Sequence, residues 1–442
     1  MRGILAPSIG VTCTAALALG LTPPAGASAA RPAPPPETAT TTGRAAEPYA
    51  SGSTQSLPLK PFTRDRTTGA PVEQGLPRRD VRHFSLVGVV WDDPGTELHG
   101  RVQVRTRDAA TGAWSGWQDV ETHNADHAAD PDTAERASGR VRGATAPLWV
   151  GDSDGVEVRV RAEAGHAGGG TPAPAVPLLP EGLRLELVDP GEGAPADGPD
   201  AGDPDAGVDA APAADAGPVP PGVTEIPALS RAETGRQAAK PYVGPRPGIV
   251  TRRGWGADEG LREKTFVYTK KVKAAFVHHT ASGNNYSCSQ APSLVRGIYR
   301  YHVVSMGWRD IGYNFVVDKC GKIYEGRAGG VAKPVMGAHT LGFNSDSMGI
   351  AVIGSYGSTK PSSAAVKAIA RLAAWKLGLH GMNPKGKTYL KSGGGSLYRK
   401  GKKVRLNVIS GHRDGFATEC PGGKLYGKLG SVRKTAARYQ GR

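Results

Sequence analysis

Residues 191–245 are dominated by Gly, Ala, Pro and Asp. A stretch of that composition cannot bury enough apolar surface to offset the entropy lost on ordering, so it reads as an acidic, disordered linker. It divides the 442-residue chain into two folding problems, in keeping with a length beyond one ordinary domain. Charge divides at nearly the same place. Residues 241–442 hold 34 Lys+Arg against 9 Asp+Glu, a balance of +25, and residues 1–240 hold 21 against 31, a balance of −10. A basic half joined to an acidic half implies separate modules with separate partners.

The first residues bear on which partners are available. Residues 1–30 read as a secretory signal, with Arg2, an apolar run from Ile4 to Leu21 and a small-residue cleavage site at Ala27-Ser28-Ala29. The run contains Pro7, Gly10 and Gly20 and lacks a basic stop-transfer flank, which favours a cleaved signal over an anchor. Cys13 is a poor lipid-attachment site because Thr12 precedes it. No other segment is apolar for long enough to span a bilayer. A basic surface ordinarily points to nucleic acid. In a secreted, cell-wall-associated chain the natural polyanion is instead the wall, with its peptide-stem carboxylates and phosphates. Beyond the signal three cysteines remain, Cys288, Cys320 and Cys420. An odd number in a secreted chain implies one disulfide and one cysteine with a different role.

Residues 31–79 are rich in Pro, Ala, Thr and Arg and read as a disordered lead-in. From residue 80 the pattern changes. Phe84 to Trp91 is a buried-strand run, and Val102/Val104, Val156/Val158/Val160 and Leu183/Leu185/Leu187 alternate with polar residues. Turn clusters at Asp92-Asp93-Pro94-Gly95 and Asp152-Ser153-Asp154-Gly155 separate them. Residues 80–190 are therefore expected to form an all-β, sandwich-like domain. Trp114 and Trp117 suggest either a sugar-stacking platform or strand-edge packing.

Residues 246–442 read as an α/β domain. Val272–Thr280, Ile311–Asp318, Gly349–Gly354 and Leu406–Ser410 are strand-like; Pro292–Val304, Ser363–Leu377 and Val432–Tyr439 are helix-like, the second stopped by Gly378. Two histidine motifs follow strands: Val277-His278-His279-Thr280 and Gly411-His412-Arg413-Asp414. Thr418-Glu419-Cys420-Pro421-Gly422 comes shortly after the second. Two imidazoles and one thiolate make a three-ligand zinc site with an open fourth position, the arrangement of a catalytic zinc. Taken singly, each His is as readily a packed or solvent-facing residue, and Cys420 a buried free thiol.

Further segments carry a resemblance. They are Tyr301-His302, Gly307-Trp308-Arg309-Asp310-Ile311-Gly312-Tyr313-Asn314-Phe315, Ile323-Tyr324-Glu325-Gly326-Arg327, Gly337-Ala338-His339 and Asn344-Ser345-Asp346-Ser347-Met348-Gly349-Ile350. With the two histidine motifs and Cys420-Pro421-Gly422, they resemble the peptidoglycan recognition protein and type 2 N-acetylmuramoyl-L-alanine amidase family. The resemblance spans about 246–440 and says nothing of residues 31–245. It implies a central mixed sheet flanked by helices, with a zinc-bearing groove. The family's zinc ligands fall on His278, His412 and Cys420. His279 competes for the first position, and since adjacent strand residues face opposite ways, one of the two should reach the metal. Non-catalytic relatives lose the cysteine, which this chain keeps.

The resemblance also implies the remaining roles. Tyr313 matches the active-site tyrosine and Thr418 a second polar group for water or oxyanion. His339, Asn344, Trp308, Arg327 and Thr280 are placed as substrate-binding residues, although Trp308 also suits core packing and His339 a turn. His302 is read as a core residue. With Cys420 assigned to the metal, Cys288 and Cys320 remain for the disulfide. Residues 383–403 depart from the family as a basic, Gly-rich insertion that either grips anionic wall polymer or is a solvated loop. The implied function is secreted, zinc-dependent hydrolysis of the amide between N-acetylmuramic acid and L-alanine, with muropeptides as partners, by a protein read as monomeric. The alternatives are a non-catalytic peptidoglycan-binding module and a zinc peptidase acting on the stem peptide.

Overall fold

A computed structural model describes residues 52–64, 66, 71–163, 179–192 and 223–442. The expected signal with Cys13, and the central part of the expected linker, lie outside these residues. No helix among them is long and apolar enough to cross a membrane.

The amino-terminal module is an antiparallel sheet of eight strands: β1 (Ser53–Pro58), β2 (Lys60–Arg64), β3 (Pro71–Trp91), β4 (Gly100–Asp108), β5 (Gln118–Val120), β6 (Gly143–Ala144), β7 (Leu148–Ala162) and β8 (Arg184–Asp189). Their order is β1-β8-β3-β7-β4-β5, with β2 and β6 also paired to β3. The expected lead-in is thus wrong from Ser53 onward. β1 and β2 carry no alternating apolar pattern, and β2 is exposed throughout; both are strands because β8 and β3 offer them edges to pair with. The long strand β3 shifts register between Leu76 and Leu86, so its two halves meet different neighbours. Both halves supply one core, in which Leu76, Val87, Val89 and Trp91 meet Val102, Val104, Val158, Leu185 and Leu187. The run at 84–91 is apolar on consecutive residues because the other face of β3 is also covered, Leu86 and Val90 belonging to a different cluster. Trp114 lies under the Arg78 guanidinium and Trp117 between those of Arg105 and Arg159, so cation–π packing takes up the rings of the suggested sugar platform.

The carboxy-terminal module begins inside the expected linker. β9 (Glu225–Ile226) and α1 (Arg231–Ala238) fall at 223–245, where a capping box of Ser230 and Glu233 starts α1 and Ile226 and Val243 enter the core. Then come β10 (Ile249–Val250), β11 (Ala274–His279), α2 (Ala291–Arg300), β12 (Phe315–Val317), β13 (Ile323–Glu325), β14 (Ser347–Val352) and α3 (Ser363–Leu379). β15 (Lys387–Lys391), β16 (Lys403–Asn407), β17 (Ile409–Gly411), α4 (Gly423–Tyr426) and α5 (Leu429–Gln440) complete the chain. The mixed sheet runs β17-β11-β14-β12-β13-β10-β9, with β11 parallel to both neighbours. A central parallel strand is covered on both faces, which is why Ala274 to Val277 is continuously apolar. Ile350 and Val352 face α3 and α5, while Ala351 and Val316 face α2. Helix α3 starts on the Ser362 hydroxyl, which accepts from Ala365 N, and runs past Gly378 rather than stopping there. The basic insertion is a hairpin of β15 and β16, paired from Lys387↔Asn407 to Lys391↔Lys403.

The two modules share a core. Helix α2 and the π-helical turn Tyr301–Ser305 after it bury Leu294, Val295, Ile298 and Tyr301 in one cluster with Leu86, Val90, Trp149 and Val188 of the first sheet. Tyr301 reaches over Gly88, where a Cβ would stand 2.3 Å from its hydroxyl, and donates to Thr145 O at 3.1 Å. The Glu135 carboxylate and Arg327 guanidinium form a buried two-bond pair, both contacts 2.9 Å.

Three outcomes are expected. Glu135→Gln leaves Arg327 buried without its carboxylate partner and should lower unfolding free energy by roughly 3–5 kcal/mol in urea titrations. Cys288 and Cys320 are bonded across a separation of 32 residues. Replacing both with Ala should cost roughly 3–4 kcal/mol, and non-reducing peptide maps should recover the pair intact. The buried Lys376 ammonium donates to Val331 O and Lys333 O, and burial lowers its pKa from 10.5 to about 7. The unfolded chain then holds a proton that the folded chain has released, so this group's contribution to stability rises from pH 7 to 10.5. Burial raises the Glu325 carboxyl from 4.5 to about 7, so its contribution falls over that lower window. Lys376→Met should flatten the upper limb and leave the lower one, read by thermal unfolding across pH.

Candidate metal centre and the groove above it

β11 and β17 lie side by side in parallel register, Val277 opposite Gly411, so the residues next after that pair, His278 and His412, end up adjacent. The His278 and His412 rings stand 4.5 Å apart between centroids. His412 opens a short 3₁₀ turn, His412–Asp414, and Arg413 N donates to Cys420 O at 3.0 Å, folding the later loop back on the turn. The Cys420 sulfur then lies 3.8 Å from His278 Nδ1. His279 points the other way, and its Nδ1 accepts from Tyr356 N at 3.3 Å. Strand alternation therefore gives His278 to the cluster.

A fourth side chain joins these three. His127, from the loop between β5 and β6 of the other module, places Nε2 3.8 Å from the Cys420 sulfur. One donor atom from each of His127, His278, His412 and Cys420 lies within 4.8 Å of every other, and all four residues are buried. Metal bonds of about 2.0–2.3 Å put tetrahedral donor atoms about 3.3–3.8 Å apart, so small inward shifts would complete a shell.

The electrostatics suit a cation. Neither buried ring nitrogen of His412 makes a hydrogen bond; Nδ1 faces Asp126 Oδ2 at 3.5 Å, and Nε2 has no partner. Burial, helped by neighbouring imidazoles, holds His278 well below the usual histidine range. Burial likewise lowers His412 to about 3, against the opposing pull of Asp126. Both imidazoles are thus in the neutral form that ligates metal. Burial and the Asp126 charge push the Cys420 thiol up, so a positive charge among these donors is what would make it a thiolate. The residues present fit a divalent metal with mixed nitrogen and sulfur donors.

The surrounding residues orient these donors. His339 Nδ1 lies 3.2 Å from His278 Nε2, leaving His278 Nδ1 to face the sulfur. Gly349 makes room for that ring, since a Cβ there would lie 2.5 Å from His339 Cγ. His339 is thus placed to fix a ligand rather than to face a groove. Tyr313 packs beside His278 and His127 at 5.7 and 5.8 Å, and burial holds its phenol protonated. The Thr418 hydroxyl accepts from Cys420 N at 3.1 Å. Thr280 is turned into the β11 end, where its hydroxyl accepts from Gly354 N. His302 stacks on Trp308 at 4.5 Å and accepts from Gly312 N, a packing role.

Of the residues placed as substrate-binding, Trp308, Arg327, His339 and Asn344 are all buried. Asn344 donates to Ala128 O and to Asp130, and Arg327 is held by Glu135, so both bind this chain's own loop. The accessible cleft at the module junction, about 810 Å³, lies instead on the His279 side and is lined by Glu121, His123, Asn284 and Glu419. Sequence reading missed Asp126 and His127. Metal-binding residue types do cluster in Asp126-His127-Ala128-Ala129-Asp130, but nothing local links them to a motif almost 300 residues later.

Comparison with known proteins agrees with this division. The family described as N-acetylmuramoyl-L-alanine amidase matches residues 268–423, and one described as Rv3811 N-terminal galactose-binding domain-like matches residues 36–178. Peptidoglycan-recognition protein SC2 of Drosophila simulans is 30% identical over 183 residues, 41% of this chain and 84% of its own length. The human N-acetylmuramoyl-L-alanine amidase is 31% identical over 185 residues, 41% of this chain and 28% of its own. The solved structure of Drosophila PGRP-LB is 27% identical, with a TM-score of 0.33, across 41% of this chain and 92% of its own. Motifs and relatives together make this chain a member of the peptidoglycan-recognition protein and N-acetylmuramoyl-L-alanine amidase family, joined to a galactose-binding-like amino-terminal domain.

Proposed function

We propose that the chain is a secreted, zinc-dependent amidase that cleaves between N-acetylmuramic acid and L-alanine of peptidoglycan. The observation that carries this is the convergence of neutral, buried His278 and His412 on a buried Cys420, with His412 Nε2 left without a partner. With the fourth position open, zinc held by His278, His412 and Cys420 would lower the pKa of its water to about 7 and polarise the scissile carbonyl. The chain's own contribution is positional. Tyr313, kept protonated, donates to the oxygen on which negative charge develops. Thr418 holds the Cys420 loop and offers a second hydroxyl beside it. His339 keeps the His278 ring in one orientation.

Two features support muropeptides as substrate. Relatives are named for peptidoglycan recognition and for this amidase. The basic hairpin, with Lys387, Lys391 and Lys403 exposed, suits an anionic wall polymer. A pure recognition module is the second reading, favoured by the relatives named for recognition alone and opposed by the retained cysteine.

The zinc-loaded chain should release peptides that begin with L-Ala from purified walls, with the stem intact by mass spectrometry. Cys420→Ala should bind little zinc and release none, and a chelator should reproduce that loss. Cuts within the stem would instead establish a peptidase.

A further inference from the structure

The loop between β5 and β6, residues 121–142, comes from the galactose-binding-like module yet is buried against the other one. Asp126, His127, Ala128, Ala129 and Glu135 are each no more than 7% exposed, unusual for a loop rich in ionisable residues. It is anchored along its length. Leu341 N donates to Asp126 O at 2.9 Å, and Gly342 N and Asn344 Nδ2 donate to Asp130 Oδ1 at 2.8 and 2.7 Å. Beyond these, Glu135 clasps Arg327, Lys400 of the hairpin pairs with Asp132 at 2.6 Å, and Arg142 N donates to Met306 O.

His127 is oriented as a ligand would be. Its Nδ1 is 3.0 Å from Asp126 Oδ1, which leaves Nε2 directed at Cys420, His278 and His412. A carboxylate behind the far nitrogen of an imidazole is the usual support for a metal-binding histidine. A catalytic zinc keeps its fourth position open, and a four-ligand protein shell closes it.

We propose that this loop is an intramolecular plug: His127 supplies a fourth protein ligand to the metal, and Ala128, Asp130 and Glu135 occupy the groove polar groups that would meet a muropeptide. The chain as folded is therefore a latent form. It holds its metal without an exchangeable position, and it becomes competent when the loop leaves. The loop's anchors are mostly hydrogen bonds and ion pairs, to which Ala129 and Val141 add apolar contacts at the edge of the α2 cluster; the larger seam between α2 and Leu86, Val90 and Val188 belongs to the sheet and not to the loop. The inference rests on the metal-centre reading, but its test does not depend on turnover.

The test uses the full chain loaded with Co²⁺ and titrated with azide, an anion that binds an open coordination position. In the parent the visible ligand-field bands should not respond to azide. In His127→Ala they should shift with azide, and release of L-Ala-ended peptides from walls should rise roughly tenfold or more, as expected if under a tenth of the parent is open. Asp130→Ala removes an anchor and no ligand; it should gain azide sensitivity in part, and it serves if His127→Ala does not fold. Azide-sensitive bands in the parent, or azide-insensitive bands in both variants, would overturn the plug. Failure of the parent to take up Co²⁺ would overturn the metal centre and the plug together. The expected azide responses without any peptide release would leave the plug standing and defeat the amidase reading alone.

Discussion

Helix α2 is apolar around more of its circumference than one sheet can cover. One side packs on Val316 and Ala351 of the mixed sheet, and the other receives Leu86, Val90 and Val188 of the antiparallel sheet. Neither module could leave that helix exposed without placing several large apolar side chains in water, at about 25 cal/mol per Å². The rest of the architecture follows from this shared burial. It sets the first sheet against the second, carries Tyr301 over Gly88, and brings the loop between β5 and β6 to the end of β11.

That end of β11 is where burial and polarity conflict most. Three imidazoles and a thiol are removed from water together, and His412 Nε2 finds no partner. Buried polar groups without partners are costly unless something else satisfies them. Among ordinary solutions, a divalent metal satisfies all four donors at once. The same reasoning connects the centre to the loop: Asp126 supports His127, Asp130 occupies Asn344, and Glu135 neutralises Arg327. Asp130 and Glu135 thus each meet a polar group of the carboxy-terminal module that would otherwise be left solvated or unpaired.

Local patterns were a good guide where one strand or helix decides its own environment. The alternation at Val156, Val158 and Val160, the continuous run before His278, and the amphipathic helix from Ser363 could all be read in the chain, and their apolar residues lie buried as their periodicity requires. The pairing of Cys288 with Cys320 was implied by the family resemblance and is present. Reading failed where structure is borrowed from a distant partner. β1 and β2 look like lead-in because their strand character comes from the edges of β8 and β3. Residues 223–245 look like linker because two apolar side chains and one capping box are enough to dock them on a core built elsewhere.

By itself, then, the sequence determined the two modules, the strand-end positions of His278 and His412, and the chemistry that Cys420 can offer. These depend on residue type and on periods of two or 3.6 residues, which are local properties. The resemblance placed His278 rather than His279 among the donors, but only the tertiary structure decided that His339 stands behind His278 and that Arg327 and Asn344 bind the chain itself. It alone brought His127 to Cys420 across a separation of 293 residues. Such a contact is made by packing between modules, and no short-range pattern in either segment encodes it.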